Sequence, residues 1–307
     1  MPVDSQAVGR LNVQSFILEL ARVNQGSVQS FEGGSATGDV VVEKVGLDHI
    51  AHKHLAGVKY EDITVTVGTG MGKDLYEYVK TGFDQQHISK DMAFKRVDFN
   101  QNVTWEMDVF QALVTGVAFP GLDAASKEVG KMTITFSPEY TRVKVGSGKL
   151  SQGSSGKPKQ WFTSNFRLTI PGLDCTRVSK IGALSLTTDV VSERHGEHAE
   201  PDRQAGLSQF PNLVVTLGEQ AAQSFIDWHT SFVIMGKNDQ SQEKEGTLEM
   251  LGPDLKEVLF TLKFHSLGIF RLAADKYEAR SENIRTVTAE MYCETMEFAY
   301  GPGAVGG

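Results

Sequence analysis

Ile63-Thr64-Val65-Thr66-Val67-Gly68 and Leu213-Val214-Val215-Thr216-Leu217-Gly218 are one short pattern written twice, 150 positions apart. In each, side chains for a core alternate with residues that tolerate water, which is the period of a β-strand with one buried face, and each ends on Gly. The spacing persists outward. It carries Tyr60 onto Phe210, Asp62 onto Asn212, Leu75 onto Phe225 and Tyr78 onto Trp228, and upstream Phe16, Leu18, Leu20 and Val28 onto Phe166, Leu168, Ile170 and Val178. Further along, the spacing becomes 155: Val103, Trp105, Met107 and Val109 fall on Val258, Phe260, Leu262 and Phe264. Met132, Thr133, Ile134, Phe136 and Glu139 then fall on Val287, Thr288, Ala289, Met291 and Glu294. Identities are few, but the ordered series is long, and a period of this size predicts duplicated domains rather than a short-repeat solenoid.

Length and composition agree with that division. The 307 residues, 40% hydrophobic, suit two domains that each bury a core. A net charge of −8, from 30 basic and 38 acidic residues, offers no basic footprint for gripping phosphates and argues against sequence-reading of nucleic acid. It is compatible with lining a passage that repels DNA. Cys175 and Cys293 provide no disulfide framework and read as two reduced, buried thiols. No 18-residue apolar run appears, and Met1-Pro2-Val3-Asp4 does not open a basic region followed by an apolar one. The expectation is a soluble protein without a membrane segment, made in a reducing bacterial cytoplasm.

Gly146 to Lys159 is the one extended Gly/Ser-rich stretch, and it falls where the first copy ends. The expected division is a β domain over 1–147, a Gly/Ser/Lys-rich linker over 148–160 and a second β domain over 161–307. Within each copy the pattern reads strand, variable polar region, strand, helix, polar loop and two longer strands. Apolar and polar positions alternate over 16–20, 63–67, 103–109 and 132–136, and over 166–170, 213–217, 258–264 and 287–293. Met71, Leu75, Tyr78 and Val79 share one helical face, and Ala222, Phe225, Ile226, His229, Phe232 and Val233 form the comparable stripe. The predicted fold is mainly β: two tandem antiparallel β-sandwich or barrel domains, each with one flanking amphipathic helix. Thr104, Glu106 and Asp108 on one strand and Thr133, Thr135 and Ser137 on another are expected to make one long polar two-stranded surface. Open sheet edges of this kind invite pairing, and a closed ring of subunits removes them.

Motifs that suggest chemistry fail on detail. Gly68-Thr-Gly-Met-Gly-Lys73-Asp74 follows a strand and opens a helix, but it lacks the glycine spacing and the Ser or Thr of a phosphate loop. It reads as a strand-to-helix turn, and Gly218-Glu-Gln-Ala-Ala at the matching place has neither glycine richness nor lysine. His49, His52 and His54, and again His195 and His198, have spacings that can ligate zinc; without cysteines or a scaffold they read as solvated loop residues. His229 reads as a satisfied, partly buried histidine. No Ser, His and Asp group into a triad, and Glu61, Asp62 and Asp254 read as turn and surface acids. Trp105, Phe260, Trp228 and Phe225 sit at core-phase positions, where packing outweighs a stacking platform. No catalytic, cofactor-binding or metal-binding residue is assigned, and no cofactor is expected.

At Lys53-His-Leu-Ala-Gly57-Val-Lys59-Tyr60-Glu-Asp62-Ile63-Thr-Val-Thr-Val-Gly68, followed by the helix Lys73 to Val79, the chain resembles the tail tube family of contractile phages and related contractile injection systems. Those proteins commonly carry a basic-Leu-Pro-Gly-x-x-Lys-Tyr-x-Asp-Ile segment; here Ala56 stands at the Pro, while Lys59, Tyr60, Asp62 and Ile63 match. Phe16-Ile-Leu-Glu-Leu20 and Phe166-Arg-Leu-Thr-Ile-Pro-Gly-Leu173 resemble that family's first strand. The first copy carries the resemblance over residues 13 to 145; in the second, Phe210-Pro-Asn-Leu213 keeps the shape and loses the Lys and Asp. The resemblance implies rings of six domains stacked into a hollow tube, with no catalytic residues or cofactor. The implied partners are further copies of the chain, sheath and baseplate proteins, with DNA or effector cargo only passing through the lumen. Two copies per chain leave two arrangements: three chains in a pseudo-six-fold ring, or six chains in two stacked rings. A tube-initiating adaptor near the baseplate is an alternative in the same class. From other classes come a metal-dependent hydrolase using His52 and His195, and a secreted β-sandwich binding module.

Overall fold

The computed structural model describes residues 15–44, 50–150, 159–193, 202–275 and 285–306. In the first half the strands are β1 (Ser15–Leu20), β2 (Val23–Val28), β3 (Ser30–Gly33), β4 (Ala36–Glu43), β5 (His52–Tyr60) and β6 (Ile63–Val67). Helix α1 (Lys73–Phe83) follows, then β7 (Lys90–Val97), β8 (Val103–Phe119), β9 (Leu122–Asp123), β10 (Met132–Ser137) and β11 (Tyr140–Val145). The second half has β12 (Phe166–Thr169), β13 (Val178–Ile181), β14 (Leu184–Glu193), β15 (Asp202–Gln209) and β16 (Leu213–Gly218). After helix α2 (Gln223–His229) come β17 (Lys244–Leu251), β18 (Val258–Ala274), β19 (Thr286–Tyr292) and β20 (Thr295–Tyr300).

The two halves share their connectivity. β1·β7, β7·β8, β8·β10, β10·β6, β6·β3, β8·β11 and β4·β5 of the first half have counterparts in β12·β17, β17·β18, β18·β19, β19·β16, β16·β13, β18·β20 and β14·β15 of the second, all antiparallel. Registers agree to the residue: Thr133 lies opposite Ala118, and Thr288 opposite Ala273. The long strands β8 and β18 each serve two sheets, and each bends at a non-glycine residue with positive φ. These are Gln111 (φ 47) and Ser266 (φ 54), 155 positions apart.

That bend corrects one expectation. Thr104, Glu106 and Asp108 lie on the first part of β8, which pairs with β7 and β11, whereas Thr133 and Thr135 on β10 face its second part. The two polar sets therefore belong to different sheets, and no single two-stranded surface exists. The polar regions between the expected strands are themselves largely strands: β3, β4 and β5, β7, β14 and β15, and β17. β7 escaped the pattern because only Met92 and Phe94 supply its core face before Arg96 takes the next position in phase; on the opposite face, beside Ala93, lies Lys95. It is largely buried beside Glu19 (2.6 Å) and Glu106 (3.7 Å), a pair of carboxylates that offsets the desolvation of its ammonium.

One continuous core runs through both halves. Ile63, Val65, Val67, Leu75, Tyr78 and Phe136 are buried in the first; Leu213, Val215, Leu217, Phe225, Trp228 and Met291 hold the matching positions in the second. The expected face of α1, with Met71, Leu75, Tyr78 and Val79, is buried as read, and Tyr76 and Phe83 are buried as well. In the second half Ala222, Phe225, Trp228 and Phe232 form the buried stripe, continued past α2 by a π-helical turn over Thr230–Ile234. Ile226 and Val233, expected on that stripe, are instead 39% and 43% exposed: Val233 lies within the wider π-helical turn, which changes the phase, and Ile226 lies on α2 beside the buried Phe225 and faces outward.

Candidate functional site: the sheet shared by the two halves

The geometry that unites the molecule is an edge-to-edge joint. β14 of the second half adds to β8 of the first, with Leu184 opposite Phe119, Ser185 opposite Ala118, Leu186 opposite Val117 and Thr187 opposite Gly116. Just beyond, Ile181 of β13 pairs with Leu122 of β9, and β13 in turn pairs with β16. The joint makes one sheet running β3, β6, β10, β8–β9, β14–β13, β16, β19, β18. Backbone pairing is satisfied across it, so the joint combines main-chain hydrogen bonds with burial of Leu184 and Leu186.

The face of this sheet opposite the core is built of small polar side chains. Ser30, Thr66, Thr133, Ala118 and Ser185 lie in one cross-strand row, and Glu32, Thr64, Thr135, Gly116 and Thr187 in the next. In the second half the rows continue as Ala273, Thr288, Thr216 and Lys180, and as Arg271, Glu290 and Val214. Thr216 and Thr288 hydroxyls are 3.2 Å apart, Arg271 pairs with Glu290, and Lys180 reaches Asp123 at 3.0 Å. Arg271, Glu290 and Lys180 are thus neutralised locally, leaving a hydroxyl-rich surface that also carries Glu32.

Two devices hold the halves in place. Arg203 on β15, 11% exposed, donates from Nη2 to the Tyr60 carbonyl (2.6 Å) and from Nη1 to Asp62 Oδ1 (2.8 Å) and to Ser137 Oγ. Asp62, read from sequence as an ordinary acid, is therefore the carboxylate of the inter-half clamp. On the other side α1 packs against the second half. Tyr76 stacks on Tyr300 (5.2 Å between centroids), Phe83 on Phe298 (5.5 Å), and the Tyr76 hydroxyl donates to the Ala304 carbonyl (3.1 Å). Such ring pairs contribute about 0.5–1.5 kcal/mol each beyond their buried area.

The motifs singled out in sequence find other uses. The Gly68–Lys73 turn receives the end of the chain: Gly70 N–H donates to the Ala304 carbonyl, Gly306 N–H to the Met71 carbonyl, and Gly70 has φ 90. The start of α1 is capped from a distance by Gln25 Oε1, which accepts the Leu75 N–H. His52 and His54 lie on the exposed β5 strand, while His49, His195 and His198 fall outside the described residues. Among the described residues no group of three or more His, Cys, Asp or Glu is arranged to hold a metal ion. Cys175 and Cys293 are free and partly buried, and burial pushes the Cys293 thiol up to about 11. Among those residues no helix is long and apolar enough to cross a membrane. Trp105, expected in the core, is partly buried against it, and Phe260, Phe225 and Trp228 are buried. His229 is half-buried, as read.

A repeated antiparallel β unit, joined edge to edge into a wall with one apolar and one hydroxyl-lined face, defines a structural assembly protein. Residues 163–297, in the second half, match the family described as T4-like virus tail tube protein gp19, and the resemblance read at residues 53–79 of the first half points to the same family. No curated protein matches the chain. Among solved structures, the chain is similar to one in the sheath-tube complex of an extracellular contractile injection system, PVC, in its extended state. That chain shares 19% identity over 47% of this chain and 99% of its own length, with a TM-score of 0.40. A chain of the anti-feeding prophage baseplate shares 15% identity over 49% and 97% (TM-score 0.36). Hcp1 from Flavobacterium johnsoniae shares 17% over 44% and 95% (TM-score 0.27).

Proposed function

We propose that this chain is a non-enzymatic wall component of the inner tube of a phage tail or contractile injection particle. Two tandem tube domains, 1–147 and 161–307 joined through 148–160, would contribute adjacent segments to a ring of six domains, and rings would stack into a conduit. The observation that carries the reading is the joint of β14 on β8, which already builds a two-domain stretch of continuous wall inside one chain. The family match of the second half supports the tube assignment. The hydroxyl-rich face, poor in unpaired charge, suits a lumen through which DNA or effector protein slides without being gripped. The apolar surface presented by β4 and β5, with Val40, Val41, Val42 and Leu55 all exposed, suits contacts to neighbouring copies, and sheath and baseplate proteins are the expected outer partners.

Negative-stain microscopy of purified protein over a range of salt and concentration tests this reading. Rings or tubes with a central channel are the expected outcome; a monodisperse monomer at high concentration refutes it. Long tubes identify the main wall, whereas single rings that do not elongate identify the tube-initiating adaptor.

A further inference from the structure

We propose that copies of this chain join head to tail through a second joint that repeats the internal one: β4 and β11 of one copy against β18 and α2 of the next. The argument is one of complementary vacancies. β8 has strand partners along both edges of both its parts: β7 and β11 on the first, β10 and β14 on the second. β18 has β17, β20 and β19, and among the described residues the other edge of its second part pairs with no strand. β14 is flanked by β15 and β8, whereas among the described residues its counterpart β4 pairs only with β5. The two open edges are the equivalents of the two edges that meet inside the chain.

Register follows from the same equivalence. Thr187 opposite Gly116 and Leu186 opposite Val117 become Thr37 opposite Arg271 and Ala36 opposite Leu272 of the next copy. Gly33 stands at the end of β3, before β4; its φ of 93, and a Cβ position 1.9 Å from the Asp62 carbonyl oxygen, admit no side chain.

Exposed apolar side chains mark the rest of the joint independently. Tyr76 and Phe83 of α1 insert against Tyr300 and Phe298 of β20. The equivalents of the helix pair are Ile226 and Val233, and those of the strand pair are Val145 and Val143. All four are exposed in the single chain, Val145 by 87% and Val143 by 59%. Aliphatic residues at these four solvent-facing places, where their counterparts are buried against one another, are explained by a partner that covers them. The clamp differs. Lys53 stands where Arg203 does, and Asn212 where Asp62 does. The joint between copies therefore lacks the guanidinium–carboxylate fork and depends on strand addition and aliphatic contact. The joint is lateral, so it places both halves in one ring; on the six-domain reading above, on which this count rests, three chains close it.

Single-cysteine chains test the register in a Cys175→Ser, Cys293→Ser background. A mixture of Thr37→Cys and Arg271→Cys chains, assembled and oxidised, is expected to yield a covalent dimer that neither yields alone, and the double variant a closed covalent product of three. Val145→Glu, placed at a solvent-exposed position, is expected to keep the far-ultraviolet spectrum and reduce assembly about tenfold or more. Rings that form without this cross-link, a product closing at six chains, or unimpaired assembly of the Val145→Glu variant overturns the joint and leaves the tube reading standing. Absence of rings in the unaltered protein overturns both.

Discussion

Arg203 is the residue on which the union of the halves turns most directly. Its hydrogen bonds to Tyr60, Asp62 and Ser137 are charge-assisted, and the guanidinium is nearly enclosed. Arg203→Ala is expected to lower stability by about 1.5–3 kcal/mol, toward the lower end because the Asp62 carboxylate is half-exposed. Arg203→Lys recovers little, since an ammonium cannot supply the fork. Denaturant melts of both variants check this. Cys293 offers a second test. Its Sγ lies 2.9 Å from the Thr295 carbonyl, and burial holds its pKa near 11, so it is expected to alkylate slowly at pH 8 and to speed up as pH rises toward that value. Iodoacetamide labelling followed by mass spectrometry reads the rate, and fast labelling at pH 8 contradicts the burial argument.

At the scale of elements, the β14–β15 hairpin is held by the loop after α1 as well as by β8. His87, at φ 43 in that loop, brings Nε2 to 3.5 Å from Ser208 Oγ on β15, while its Nδ1 is buried without a hydrogen-bond partner. Burial lowers its pKa below the ordinary 6.5, so the unfolded chain takes up the proton first. The stability it supports is complete above pH 6.5 and declines as pH falls through the window below. His87→Asn, which tolerates the left-handed backbone, is expected to show a smaller loss of thermal stability between pH 7 and pH 5 than the native chain. An identical pH dependence in the two proteins counts against the assignment. Legibility also varied by element. β6, β16, β10 and β19 could be read directly because each has one buried and one wet face. β7 could not, because its core-facing apolar residues, Met92 and Phe94, stop at Arg96, which takes the next position in phase. β14 was hidden because one of its partners, β8, is a strand in the other half, and β15 because it pairs with β14; alternation within a segment carries no trace of such a partner.

At the scale of the molecule, the core passes through the joint without interruption: Phe119 and Trp161 pack on Phe260, and Phe83 on Phe298. Calorimetry of the unassembled chain is therefore expected to give one cooperative transition, with calorimetric and van't Hoff enthalpies in agreement; two separated transitions mean the halves are thermodynamically independent. The amino-acid sequence by itself determined the repeated unit, its β character, the helix that each unit carries and the family it resembles, because these rest on periodicities local to each strand and helix. Only the tertiary structure decided how the units meet. That Asp62 belongs to a clamp, that the glycine-rich turn receives the chain's end, and that Ile226, Val233, Val143 and Val145 face outward are consequences of contacts between residues far apart in the chain. Such contacts depend on which edges and faces remain open once each unit has folded, and no local pattern encodes them.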